Sequence, residues 1–199
     1  MTLQLNVDSA AWRRHVSETA KSLGDLIPVV KGNGYGFGRA TLIEHAQQIS
    51  HDIAVGTIFE AHDVPSNCRA FVLTPAGKAL PPQKNLAKNI VLTVGSVSHV
   101  QNLRDAGWHG DVVIKLRSSM NRYGADSSEL SALVTAVQAA GLNQIGWSVH
   151  PPLDGTPQSH ATEIGNIISG VDSDLPWFVS HVDAENLTDL RKKFANKTI

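Results

Sequence analysis

The side chains best placed for covalent or acid–base chemistry in this chain are Lys31 and a few cations and hydroxyls that recur at comparable positions further along. Lys31 follows the apolar run from Ile27 to Val30 and precedes glycines at 32, 34, 36 and 38. A short run of that kind suits a strand buried on both faces. The lysine then sits at the carboxyl end, where parallel α/β folds carry their chemistry. An amine there can condense with an aldehyde to a Schiff base. Lys115 and Arg122 flank the end of a second run, Asp111 to Leu116; His150 follows a third, Ile145 to Val149; Ser180 and His181 close a fourth that begins at Trp177. An arginine can hold a carboxylate or a phenolate, and an imidazole can stack on a ring. Taken singly, each also suits a plainer reading: a snorkelling strand-end lysine, a surface ion pair, a satisfied half-buried histidine. The glycines serve either close approach of backbone to a ligand or a sharp turn. They match neither the dinucleotide fingerprint nor the phosphate loop that ends in Gly-Lys-Ser/Thr.

Composition narrows the partners. A net charge of -1 leaves no electrostatic footprint for nucleic acid, and the basic cluster from Arg191 to Lys193 reads as a solvated helix face. The first residues carry no basic segment followed by an apolar run, and no later stretch approaches the roughly 20 apolar residues of a membrane span. The expectation is a soluble, cytoplasmic protein with neither a nucleic-acid nor a membrane partner. The single cysteine, Cys68, has no internal disulfide partner and reads as a structural thiol. None of the nine histidines pairs with another at the four-residue helical spacing, so no metal site is expected.

The elements that must position these groups follow from periodicity. Leu3, Leu5 and Val7 suggest a short half-buried strand, and Asp8 or Ser9 caps a helix whose inner stripe is Trp12, Val16, Ala20 and Leu23, closed by Gly24. A helix from about Ala40 to Ile49 follows the glycine loop. Strand-like runs recur at 53–59, 70–73, 90–94, 111–116, 145–149 and 177–180, with a proline-rich loop (Pro75, Pro81, Pro82) between the second and third. Between the later runs lie helices started by Ser96, by the capping box of Asp126 and Glu129, by Thr156-Pro157 and by Asp183. Strands separated by helices call for a parallel sheet. About seven of them favour an α/β fold of the eight-stranded (β/α) TIM type lacking its eighth strand, with residues 196–199 leading toward it.

Two stretches carry a resemblance. Val30-Lys31-Gly32-Asn33-Gly34-Tyr35-Gly36-Phe37-Gly38 resembles the Val-Lys-Ala-(Asp/Asn)-Ala-Tyr-Gly-His-Gly signature of the alanine racemases, pyridoxal phosphate enzymes of the (β/α) barrel type. Lys115-Leu116-Arg117-Ser118-Ser119-Met120-Asn121-Arg122-Tyr123-Gly124 resembles their second signature, Lys-(Val/Leu)-Asp-Thr-Gly-Met-(Asn/Gly)-Arg-Leu-Gly. The resemblance implies that Lys31 forms the Schiff base with pyridoxal 5'-phosphate and acts as one of two acid/base groups at the α-carbon of a small amino acid such as alanine. It implies that Tyr35 reaches the cofactor phosphate and that Arg122 bonds the ring hydroxyl and faces the substrate carboxylate. Lys115, carbamylated in some relatives, would orient Arg122, and His150 would pack on the pyridine ring. The phosphate would lie near 180–184, with Ser180 or backbone N–H groups taking it, because Asp183 stands near the family's phosphate-binding serine and a carboxylate repels phosphate.

The chain also departs from the pattern. Phe37 replaces the signature histidine, and Arg117-Ser118-Ser119 replaces Asp-Thr-Gly. In the family, an Arg-x-Gly-Thr strand and a β-domain follow, and the β-domain gives a catalytic tyrosine to the partner subunit's site. Residues 1–199 are therefore expected to be an incomplete barrel domain without the C-terminal β-domain: an isomerase fragment with weak or no activity of its own, and a homodimer in its full-length form. The other reading is a noncatalytic pyridoxal phosphate-binding or regulatory barrel.

Overall fold

A computed structural model describes residues 6–81 and 89–199. The expected strand at Leu3 and Leu5, and Pro82 of the proline-rich loop, lie outside the described residues. Helix α1 (Ser9–Leu23) is capped by Asp8, whose carboxylate accepts from the Ala10 and Ala11 N–H groups at 3.0 Å. Then come α2 (Arg39–Ala46), β1 (Asp52–Val55), a 3-10 turn (Ile58–Asp63), β2 (Arg69–Val72), β3 (Ile90–Val94) and α3 (Val97–Asp105). The chain continues through β4 (Asp111–Lys115), α4 (Ser127–Ala139), β5 (Asn143–Val149), α5 (Pro157–Ser169), β6 (Trp177–Val179) and α6 (Ala184–Lys193). Every ladder is parallel and the strands lie in chain order, so all six carboxyl ends point to one rim.

The alternation of side chains along these strands builds two cores. Ile53, Val55, Ala70, Val72, Leu92, Val94, Val112 and Ile114 face the helices and pack with Val100, Leu103, Leu133, Val137, Ile164 and Ile168. The intervening residues Ala54, Phe71, Val91 and Val113 face the other way and meet Ile27, Ile145 and Phe178 in a smaller cluster. In a flat sheet β2 and β6 would be about 19 Å apart, four steps of roughly 4.8 Å. The rings of Phe71 and Phe178 nevertheless lie 5.2 Å apart. The sheet must curl around its inner core to bring them together, and the result is a half-barrel. Gly146 makes the curl possible, since a Cβ there would stand 2.6 Å from the Phe178 ring.

Among the described residues the expected seven strands are corrected to six ladder strands, the run before Lys31 making only one bridge. The stretch before Lys31 pairs only at Val29, opposite Ala54, with Val30 N–H donating to the Ala54 carbonyl at 2.7 Å and Ala54 N–H to that of Pro28 at 2.8 Å. Pro28 has no N–H to give, and Gly32 turns the chain away at φ 61°, so the pairing does not extend. At the opposite edge Trp177 N–H donates to the Thr198 carbonyl at 2.8 Å, which lays the chain's last residues beside β6. The expected inner stripe of α1 is also only half covered: none of its residues is buried, and Trp12 meets His45 edge-on at 4.9 Å. Beyond the Val29 bridge no ladder strand among the described residues offers that helix a sheet face to cover.

Candidate functional site

Lys31 stands at the rim just past the bridge, and its Nζ lies 5.8 Å from the centroid of the Tyr35 ring. The turn that follows is held by two charges the sequence reading did not single out. The Glu60 carboxylate accepts from the N–H groups of Gly32 (2.9 Å), Gly56 (2.6 Å) and Thr57 (3.0 Å). Arg39 donates to the Gly32 carbonyl at 2.9 Å and pairs with Asp63. The peptide groups on both sides of Gly32 are thus fixed by charge-assisted bonds, the strong kind, and Lys31 inherits that position. Thr57 followed by Glu60 is a capping-box spacing, so one signal for this clamp was present in the sequence.

The stretch from Leu116 to Ala125 leaves the rim and returns to it. Its base is closed by Ala125 N–H donating to the Lys115 carbonyl (2.9 Å) and Arg117 N–H to that of Ala125 (3.0 Å). Gly124 is required there: its φ is 123°, and a Cβ would meet the Leu116–Arg117 peptide at about 2.5 Å. Arg117, Ser118 and Ser119, which stand where the family signature has Asp-Thr-Gly, have definite partners. Arg117 turns outward to Asp126 (3.2 Å) and Glu129 (3.7 Å), Ser118 Oγ donates to the His150 carbonyl at 2.6 Å, and Ser119 bonds Glu163 on α5. Arg122, exposed near the tip, lies 5.3 Å over the Tyr123 ring.

His150 and Ser180 meet directly, His150 Nδ1 lying 2.5 Å from Ser180 Oγ. The rings of His150 and His181 are 4.6 Å apart. Asp183 caps α6 and accepts from Asn186 N–H at 2.9 Å, so the amino end of that helix already holds a carboxylate, one kept below the usual range by those bonds. Tyr35, Asn121 and His181 are the described non-glycine residues with positive φ, and each lies in a different loop at this rim. Backbone strain concentrated in this way is typical of positions selected for what they present rather than for stability.

The electrostatics tie the groups together. Burial, and then the nearby Arg122 charge, bring the Lys115 amine down to about 8. His150 falls to about 4 through burial and then through Lys115, His181, Arg122 and Lys31. Lys31, Lys115, Arg122 and His150 therefore share one electrostatic neighbourhood, with Ser180 in contact with the last; Tyr35 joins through Lys31. At neutral pH this mouth presents ammonium and guanidinium groups around an uncharged imidazole, an arrangement that attracts anions. Among the described residues no group of three or more His, Cys, Asp or Glu side chains is placed to hold a metal, and no helix is long and apolar enough to cross a membrane.

The profile described as "Alanine racemase, N-terminal domain" matches residues 7–169. The chain belongs to that family. An alanine racemase of Salinispora arenicola is 30% identical over 148 residues, which cover 69% of this chain and 39% of the relative. Among solved structures, the biosynthetic alanine racemase of Pseudomonas aeruginosa superposes with a TM-score of 0.67 at 20% identity, over 84% of this chain and 51% of that one. An alanine racemase from Bartonella henselae with covalently bound pyridoxal phosphate gives 0.66 at 18% identity, over 87% of this chain and 53% of that one. These similarities establish the half-barrel as the alanine racemase N-terminal fold. The chain spans about half the length of those two solved chains and less of the curated relative.

Proposed function

We propose that residues 1–199 form the incomplete barrel domain of an amino-acid racemase and hold pyridoxal 5'-phosphate through Lys31. The observation that carries this reading is the gathering of Lys31, Lys115 and Arg122 around an uncharged His150 at the carboxyl rim of an alanine racemase-type half-barrel. That donor set fits the cofactor: an exposed amine for its aldehyde, cations for its anionic oxygens and a neutral imidazole for its ring. When bound, pyridoxal phosphate supplies an aldehyde that condenses with an amine and a ring that accepts the electron pair released when an α-proton leaves.

The residues of this chain have separable tasks. Lys31 Nζ is the amine and afterwards a proton carrier at the α-carbon, and the Glu60–Gly32–Arg39 clamp fixes where it stands. Arg122 would take a phenolate or carboxylate oxygen, Lys115 would add positive charge nearby, and Tyr35 and Ser180 would offer hydroxyls to phosphate oxygens. His150, held by Ser180 and by the bond from Ser118 to its carbonyl, would pack on the ring as a neutral group. The substrate is a small amino acid such as alanine. A second base on the opposite face, and assembly as a homodimer, belong to the longer protein, so racemisation by these residues alone is weak.

Visible absorbance on adding pyridoxal phosphate tests the reading. A lysine-bound cofactor band that disappears in Lys31→Ala supports it, and a folded chain with no band overturns it. A Lys31-dependent band in a full-length protein that racemises no amino acid would favour the noncatalytic carrier. Binding should also raise the Lys115 value from about 8, since a bound anion favours the ammonium form; an unchanged Lys115 titration by NMR would remove it from the site.

A further inference from the structure

His160, on α5, takes no part in the function proposed above. It is 6% exposed, and its ring lies between two backbone carbonyls. Nδ1 is 2.8 Å from the carbonyl oxygen of His181 in the β6–α6 turn, and Nε2 is 3.0 Å from that of Asp154 in the β5–α5 loop. Carbonyl oxygens only accept, so both contacts are hydrogen bonds only when both ring nitrogens carry protons. In either neutral tautomer one nitrogen lone pair would face a carbonyl lone pair, and one of the two contacts would cease to be a hydrogen bond. The surroundings agree with a charged ring. Asp154 from the β5–α5 loop and Glu163 from α5 itself are the acidic groups acting on it, and His181, whose own Nδ1 faces the Pro151 (2.8 Å) and Pro152 (3.0 Å) carbonyls, is the titratable group packed against it. The two carbonyl bonds and those two carboxylates hold His160 above the usual imidazole range, against a smaller opposing effect of burial. Gly155 is shaped to the ring, since a Cβ there would stand 2.8 Å from Nε2.

The two segments joined in this way are those that carry the rim. One runs from His150 to Gly155 and the other holds Ser180 and His181. We propose that His160 is a proton-operated latch: doubly protonated, it ties the β5–α5 loop to the β6–α6 turn and sets the spacing of His150 and Ser180, and when it loses a proton one of those ties is released. It is a positioning residue, acting through the backbone of His181 and Asp154. A group whose folded value is raised contributes stability that is fully present below the unfolded value of about 6.5 and is lost as pH rises through the folded value. The latch therefore closes the rim toward acid and loosens it toward alkali. The latch does not depend on which anion the mouth takes; its effect on pyridoxal phosphate affinity rests on the function proposed above.

Long-range 1H–15N NMR of the histidine-labelled chain decides the protonation state. His160 is identified by its loss in His160→Gln or, should that variant not fold, by nuclear Overhauser contacts to Gly155. The expected result is a ring protonated on both nitrogens at pH 7, titrating above about 6.5. The Gly155 and His181 amide signals should shift with the same midpoint. A neutral tautomer at pH 7, or amide shifts that ignore the His160 midpoint, would overturn the proposal. Where His160→Gln folds, the ratio of wild-type to variant affinity for pyridoxal phosphate should fall toward one as pH rises through that midpoint, and a ratio independent of pH would overturn the link to the rim. If neither protein binds the cofactor, the functional reading fails and the NMR result still judges the latch.

Discussion

The two sides of the rim are held by different chemistry. On the Lys31 side, the Glu60 carboxylate and the Arg39 guanidinium grip the peptides around Gly32 through charge-assisted bonds. On the far side, the ties between 150–154 and 180–181 run through the imidazoles of His150, His160 and His181, and His160 among them is held above the usual range. The mouth thus combines a clamped turn at Lys31 with a wall tied through imidazoles.

The largest effect that would break this contrast is on the fixed side. Glu60→Ala should cost about 2–3 kcal/mol in chemical denaturation, because a half-buried carboxylate serving three N–H groups is lost. A loss below about 0.5 kcal/mol would mean that the Lys31 turn is held elsewhere. Next is Ser118→Ala, which removes the hydroxyl bonded to the His150 carbonyl. It should cost about 1 kcal/mol and weaken cofactor binding while leaving the Lys31 turn unshifted in backbone NMR. A further effect is in pH dependence. His150 is depressed to about 4, so its contribution to stability is present above about 6.5 and is lost as pH falls from there toward 4, the opposite direction to His160. His150→Asn should flatten the acid limb of the stability profile; an unchanged limb would place its titration elsewhere.

Much of the frame was legible because local physics wrote it. Asp8, Ser96, Thr156 and Asp183 each accept a backbone N–H at the helix starts their side chains predicted, and Glu129 accepts from Asp126 N–H as its box requires. The regular exchange of strands and helices after Gly95 gave the parallel sheet. The run before Lys31 misled because an apolar run does not say how many partners a strand will find, and Pro28 limited it to one bridge. The stripe of α1 misled for the same reason: amphipathicity states a preference for burial without supplying the surface. Glu60 and Arg39 reach Gly32 over sequence distances of 28 and 7 residues. His160 carried no local signal, since its meaning lies in two carbonyls brought to it by separate turns.

Arg191 adds a kinetic consequence to this architecture. Its guanidinium donates to the Leu23 carbonyl at 2.8 Å, across 168 residues, and to the Ile199 carbonyl at 2.8 Å, so it joins the end of the first helix to the last turn. Contacts of such long range close only after the intervening chain is organised, because loop closure costs entropy before any bond repays it. Bonds that form late are weak in the folding transition state, and their removal speeds opening rather than slowing assembly. Loss of the Arg191 guanidinium should therefore speed the release of α1 more than it slows its docking.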